Sequence, residues 1–142
     1  MGSFARNKYQ NSEAMVVSPQ PMITDAVTST LREQSFKQVV ALNNGLDAME
    51  RARNISPSLI FIDESLPYLA GLDFIAAIRA DITTLRPNIP VVFLSSNITD
   101  QCRRVATWFQ VYELIEKPFS KATVLAHTQS ALQREQAAPD LC

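Results

Sequence analysis

Two short runs, Leu59–Asp63 (LIFID) and Ile89–Ser95 (IPVVFLS), are almost wholly apolar. They are too short for buried helices and have no polar face. Strands of this kind are buried on both sides, as in a parallel sheet covered by helices. Three weaker runs, Ala14–Ser18, Lys37–Leu42 and Val111–Glu116, read as companion strands. Each strand is followed by a segment with helical spacing. Pro21 to Glu33 carries Met22, Ile23, Ala26, Val27 and Leu31; Leu46 to Ala52 carries Leu46, Met49 and Ala52. Leu72 to Ala80 carries Leu72, Ile75, Ala76 and Ile78, and Thr99 to Phe109 carries Val105, Trp108 and Phe109. Phe119 to Leu132 carries Val124, Leu125, Thr128 and Leu132. Five strand–helix units with short connections predict an α/β fold: a doubly wound, five-stranded parallel sheet with helices on both faces.

A chain of 142 residues makes one such domain, and 46% apolar residues fill its core. The polar segment 1–13 reads as a tail, residues 14–134 as the folded unit, and 135–142 as a second tail, with Pro139 opposing a longer helix. A net charge of -1 gives no electrostatic case for nucleic acid or an anionic membrane. No apolar run reaches the ~20 residues of a membrane span, and no signal peptide is evident. The expectation is a cytoplasmic protein with two reduced thiols, Cys102 and Cys142. A single histidine, His127, excludes a multi-histidine metal site and leaves no nucleophile–base–orienter set, so an enzyme is not expected.

In open parallel sheets, chemistry collects at the carboxyl ends of the strands. Here those ends are Ser18, Asp63, Ser95 and Lys117, with Asn43 on the edge strand. A carboxylate, hydroxyls and an ammonium therefore converge on one crevice, a set suited to a small anion or an acyl phosphate.

The stretch LIFIDESLPYLAGLDFIAAIR resembles the third-strand region of bacterial response-regulator receiver domains, the CheY-like, flavodoxin-like fold. Asp63 stands at the phosphoacceptor position, with Pro67 and Gly71 at the family spacing. IPVVFLSS resembles the fourth strand, with the switch hydroxyl at Ser95; ELIEKPFS resembles the fifth, with Lys117, Pro118 and Phe119. The resemblance implies a two-component phosphorelay module. Its partners would be a histidine kinase, a scaffold or a downstream target, met through the fourth helix, fifth strand and fifth helix. Arg103, Arg104, Glu113 and Gln133 would be presented there, and a homodimer is possible in the family.

One departure changes the functional expectation. The family's first strand ends in two acidic residues; here Ser18 and Pro19 hold those positions. Mg²⁺ takes carboxylate, phosphate and water oxygens. Ser18 offers a neutral hydroxyl, and Pro19 neither a side-chain ligand nor an N–H. The resemblance with this departure implies a degenerate pseudo-receiver with no cofactor, Mg²⁺ entering only if the site still functions. It would act by protein–protein contact with little Mg²⁺-dependent phosphorylation. A second departure puts Leu114 at the family's aromatic relay position, with Tyr112 on the same strand face but nearer its start.

Two alternatives stand beside this reading. One is a conventional regulator phosphorylated on Asp63. The other is a sensor of a small molecule such as a cyclic dinucleotide, using Arg103, Arg104 and Trp108; the plainer expectation packs Trp108 on the sheet. Strand parity turns Glu64 away from Asp63. Ser96 and Asn97 are expected to start the fourth helix. His127 is expected at the surface or an interface, and the arginines near Cys102 to lower its pKa modestly.

Overall fold

The computed structural model describes residues 9–137, with side chains through Arg134. Five strands run β1 Glu13–Val17, β2 Gln38–Leu42, β3 Leu59–Asp63, β4 Val91–Ser95 and β5 Glu113–Glu116. They alternate with α1 Pro21–Glu33, α2 Gly45–Arg51, α3 Gly71–Arg79, α4 Asp100–Trp108 and α5 Lys121–Ala137. The sheet order is β2-β1-β3-β4-β5 and every pairing is parallel. This is the doubly wound sheet that the strand–helix alternation predicts.

The apolar strands explain the layering. Every residue of β3 and β4 is buried, and alternate side chains feed opposite cores. Met15, Val17, Ile60, Ile62 and Phe93 pack with Ala48, Phe74, Ile75, Ile78 and Ala106 from α2, α3 and α4. Ala14, Val16, Leu59, Phe61, Val92 and Leu94 pack with Val27, Leu31, Val124 and Ala131 from α1 and α5. A one-residue slip would exchange the two sets, so the burial pattern holds the register.

Local chemistry sets the helix starts. Pro21 opens α1, where its missing N–H costs nothing. Asn44 caps α2 by accepting from the Asp47 N–H at 2.9 Å. Thr99 caps α4 by accepting from the Cys102 N–H at 3.0 Å. The cap is thus Thr99 rather than Ser96 or Asn97, and the Asn97 backbone instead closes a turn on the Ser95 hydroxyl.

Four sequence expectations need correction. Tyr9 is buried and stacks on Phe36, ring centroids 4.9 Å apart, so part of the presumed tail belongs to the core. Residues 1–8 and 138–142, including Pro139 and Cys142, lie outside the described residues, and α5 runs to Ala137 rather than ending near 134. Met22 is 85% exposed, because the inward face of α1 is set by Val27 and Leu31. Trp108 is 81% exposed rather than packed on the sheet, since Cys102, Ala106 and Phe109 form the inner face of α4.

Arg79, at the end of α3, staples the loops that lead into β4 and β5. Its guanidinium donates to the carbonyls of Phe109 (2.7 Å), Pro87 (2.9 Å), Ile89 (2.8 Å) and Gln110 (3.3 Å). Burial pushes its pKa down from the ordinary value.

Gly71 and Gly45 both open helices but differ in surroundings. A Cβ on Gly71 would run into the Asp63 carbonyl oxygen and stand 2.9 Å from the Glu64 Cα. On Gly45 it would touch only the Phe74 ring, at 3.5–3.6 Å. Gly71→Ala is therefore expected to destabilise the domain by about 2–3 kcal/mol, because backbone must move. Gly45→Ala should stay within about 1 kcal/mol of the parent. Urea unfolding of the two variants measures the contrast.

Candidate functional site

The register of the inner strands builds the site. Val17 pairs with Ile62, so the next residues, Ser18 and Asp63, emerge side by side. Ser95 pairs with Glu116, which brings Lys117 to the same end of the sheet, and the Lys117 N–H donates to the Ser95 carbonyl at 2.8 Å.

Asp63 is fully buried and its carboxylate is saturated with donors. The Ser18 hydroxyl donates to Oδ2 at 2.7 Å. The Ser65 N–H and hydroxyl each donate to Oδ1 at 3.0 Å. Lys117 Nζ bridges both oxygens at 2.9 Å from a side chain only 14% exposed. Burial alone would raise the Asp63 pKa; the Ser65 N–H, Lys117 and the Ser18 hydroxyl outweigh it and hold the group below its ordinary 3.8.

The structure thus brings Ser18, Asp63 and Lys117 together. Ser95 lies at the same strand ends, but its hydroxyl donates to the Glu64 carboxylate. That agrees with strand parity: Asp63 pairs with Leu94, and Glu64 meets Ser95, whose side chain lies on the alternate face. Asn43 stays apart, its side-chain oxygen accepting from Asn44 at 2.7 Å. Ser65 was missed by the sequence reading; a serine two residues after a strand-end aspartate, able to close a local turn on it, is the signal that was there.

The donor set does not fit Mg²⁺. That ion demands near-octahedral oxygen coordination with carboxylate charge. Asp63 is the one carboxylate in the Ser18–Asp63–Lys117 cluster, and Ser18 turns its proton toward it. Among the described residues no group of three or more His, Cys, Asp or Glu side chains is placed to hold a metal.

The α4–β5–α5 side also differs from expectation. Arg103 and Arg104 are exposed, but Glu113 is buried beneath α5, only 5% exposed. It accepts from Arg134 at 2.8 Å and lies 2.8 Å from His127 Nδ1, so His127 has a partner. Tyr112 precedes β5, half exposed, with the Arg134 guanidinium 4.8 Å above its ring. Leu114 packs into the α2–α3–α4 core. Burial and Glu64 push the Cys102 thiol pKa up and outweigh Arg103, the reverse of the expected lowering.

Residues 14–129 match the sequence profile of the response regulator receiver domain. This chain belongs to the response-regulator receiver family. It is 26% identical over 127 residues to the transcriptional regulatory protein KdpE of Mycobacterium tuberculosis, covering 89% of this chain and 54% of that protein. It is 26% identical over 125 residues to the transcriptional regulatory protein CreB of Escherichia coli, covering 88% of this chain and 52% of that one. The chain spans about half the length of these curated relatives. The chemotaxis protein CheY4 of Vibrio cholerae superposes with a TM-score of 0.77 at 21% identity, covering 85% of this chain and 98% of that one. CheY from a CheX–CheY–BeF3–Mg complex of Borrelia burgdorferi gives 0.75 at 17% identity, over 84% and 87% of the two chains. The receiver fold and a place in two-component signalling follow from the family match. No helix among the described residues is long and apolar enough to cross a membrane.

The buried ion pair sets two measurable expectations. Lys117→Met leaves Asp63 buried without its counter-charge and should cost about 3 kcal/mol. The folded-state pKa of Asp63 lies below its unfolded value, so its stabilisation is present above about pH 4 and is lost as pH falls through the folded value. Stability measured from pH 5 downward should fall, and Asp63→Asn should flatten that part of the curve.

Proposed function

We propose that this receiver domain signals by protein–protein contact and takes phosphate on Asp63 slowly or not at all. The carrying observation is the occupancy of the Asp63 carboxylate by Ser18, Ser65 and Lys117, in a site where the first strand ends in Ser18–Pro19. An attacking carboxylate needs a free oxygen and a cation to offset charge as an anionic phosphoryl group approaches. Lys117 is the cation of the cluster and is already committed to both oxygens. Asp63 is the phosphoacceptor equivalent, and Ser95 and Lys117 are the switch and phosphate-site equivalents. The role is that of a cytoplasmic binding module and not of an enzyme.

The partner is a protein: a histidine kinase, a scaffold or a downstream target. Two exposed arginines, Arg103 and Arg104, and the exposed Trp108 and Tyr112 favour contact on the α4–β5–α5 side. The relatives named as transcriptional regulators support a role in two-component signalling.

The test is phosphorylation by a small acyl phosphate donor with Mg²⁺, followed by intact mass. The parent should show no Asp63-dependent phosphoryl adduct. The double variant Ser18→Asp, Pro19→Asp should form one faster by roughly 10²-fold or more. A robust adduct on the parent that Asp63→Asn abolishes would overturn the proposal in favour of a conventional regulator.

A further inference from the structure

The outer edge of β2 faces away from Asp63, with β1 lying between β2 and β3 in the sheet order. β2 pairs with β1 alone. Its Leu42 carbonyl accepts from the Ser18 N–H at 3.0 Å on the β1 side, whereas Arg32 reaches the Val39 carbonyl at 3.5 Å from the other side. Backbone groups alternate in direction along a strand, so Val39 and Ala41 present theirs outward. That edge is the floor of a groove of about 600 Å³. Arg32 in the last turn of α1, Arg51 in the last turn of α2, and Phe36 and Lys37 just ahead of β2 line it as well.

The charge in this groove is uncompensated. Among the described residues no carboxylate lies within ion-pair distance of Arg32, Lys37 or Arg51. The nearby acids are engaged elsewhere: Glu33 with Lys121, Glu50 with Arg53, and Glu13 with the Ser56 N–H. Both arginines also offset the negative carboxyl ends of their helices. Cations on an open strand edge commonly prevent pairing between copies of one chain. A second copy would here set three cations against three. The same arrangement favours a strand of opposite charge.

We propose that the β2 edge is a docking site for an acidic, extended peptide segment of a partner protein, which adds as a sixth strand beside β2. Main-chain hydrogen bonds to Ala41 and to the Val39 N–H, whose own carbonyl Arg32 holds, give the binding energy, and Arg32, Lys37 and Arg51 select acidic side chains. The site is independent of Asp63, so it stands or falls apart from the phosphorylation reading.

The probe is the synthetic peptide EVEVEVE, titrated into the full chain labelled with ¹⁵N and followed by amide shifts. Val39 and Ala41 should move most, with saturation below millimolar peptide, while KVKVKVK produces no shift. Arg32→Glu with Arg51→Glu should weaken binding by about 10-fold. Ala41→Pro, which removes one outward N–H at an edge position that tolerates it, should abolish the shifts while the rest of the spectrum stays native. Binding that ignores these variants overturns the proposal, as does an absence of shifts at 2 mM peptide, a number set by about the weakest specific affinity of interest. Equal displacement by inorganic phosphate or duplex DNA makes the groove a general anion patch and overturns it too. Dilution-dependent shifts at β2 without peptide would reveal self-pairing with the same consequence.

Discussion

The contact on which the carboxyl end of this sheet depends is the ion pair between Asp63 and Lys117. A carboxylate with no exposed surface is costly unless paired and fully hydrogen-bonded. Asp63 meets that condition through residues from three places in the chain: Ser18 after β1, Ser65 two positions on, and Lys117 after β5. Lys117 lies across β4 from β3, so the pair ties an edge strand to the centre of the sheet. The short loops must hold their positions for the charge to remain satisfied. Gly71 belongs to the same constraint, because its missing side chain lets α3 start against the Asp63 carbonyl.

The opposite end of the sheet solves a different problem. There the loops before β4 and β5 expose carbonyls rather than charged side chains, and one guanidinium, Arg79, gathers four of them. Arginine suits this task because its planar fork presents several donors at once and stays charged when buried. Glu113 repeats the logic under α5, where His127 and Arg134 compensate a buried carboxylate on the edge strand. Each compensated charge fixes a neighbouring element, and none lies in the apolar layers, which are filled by alternating strand residues.

That division explains what could be read from the sequence. The fold was legible because double-sided burial writes itself as continuous apolar runs, LIFID and VVFLS, and the intervening helices carry a 3.6-residue period. Ser18, Asp63 and Lys117 were legible because strand ends in a parallel sheet share one edge. Glu64 was legible by parity, since it meets Ser95 on the face opposite Asp63. Trp108 and Glu113 were misjudged because a helix face or a strand face is fixed by which neighbours are largest, and single positions at element ends carry little of that signal. Arg79 was invisible, since its partners are backbone carbonyls that no side-chain pattern announces. Tyr9 lay too far ahead of the first apolar run to look like core.

Ser18 and Pro19, which stand where the resemblance expects two acidic residues, bear on the kind of signal the domain is proposed to carry. Several carboxylates clustered at one buried point repel one another, and a bound cation relieves that repulsion. Such a site has two electrostatic states and rests between them. Here one carboxylate faces one ammonium, and the hydroxyls around it are neutral. The cluster is balanced without any ligand, and Asp63 stays ionised because its donors outweigh burial. Changing its state means breaking a buried pair, at a cost of several kcal/mol that a ligand must return as differential affinity. A receiver proposed to work this way has little reason to populate a second conformation. In that proposal its information lies in whether a partner is bound, and the α4–β5–α5 side and the basic edge of β2 are the surfaces proposed to carry specificity.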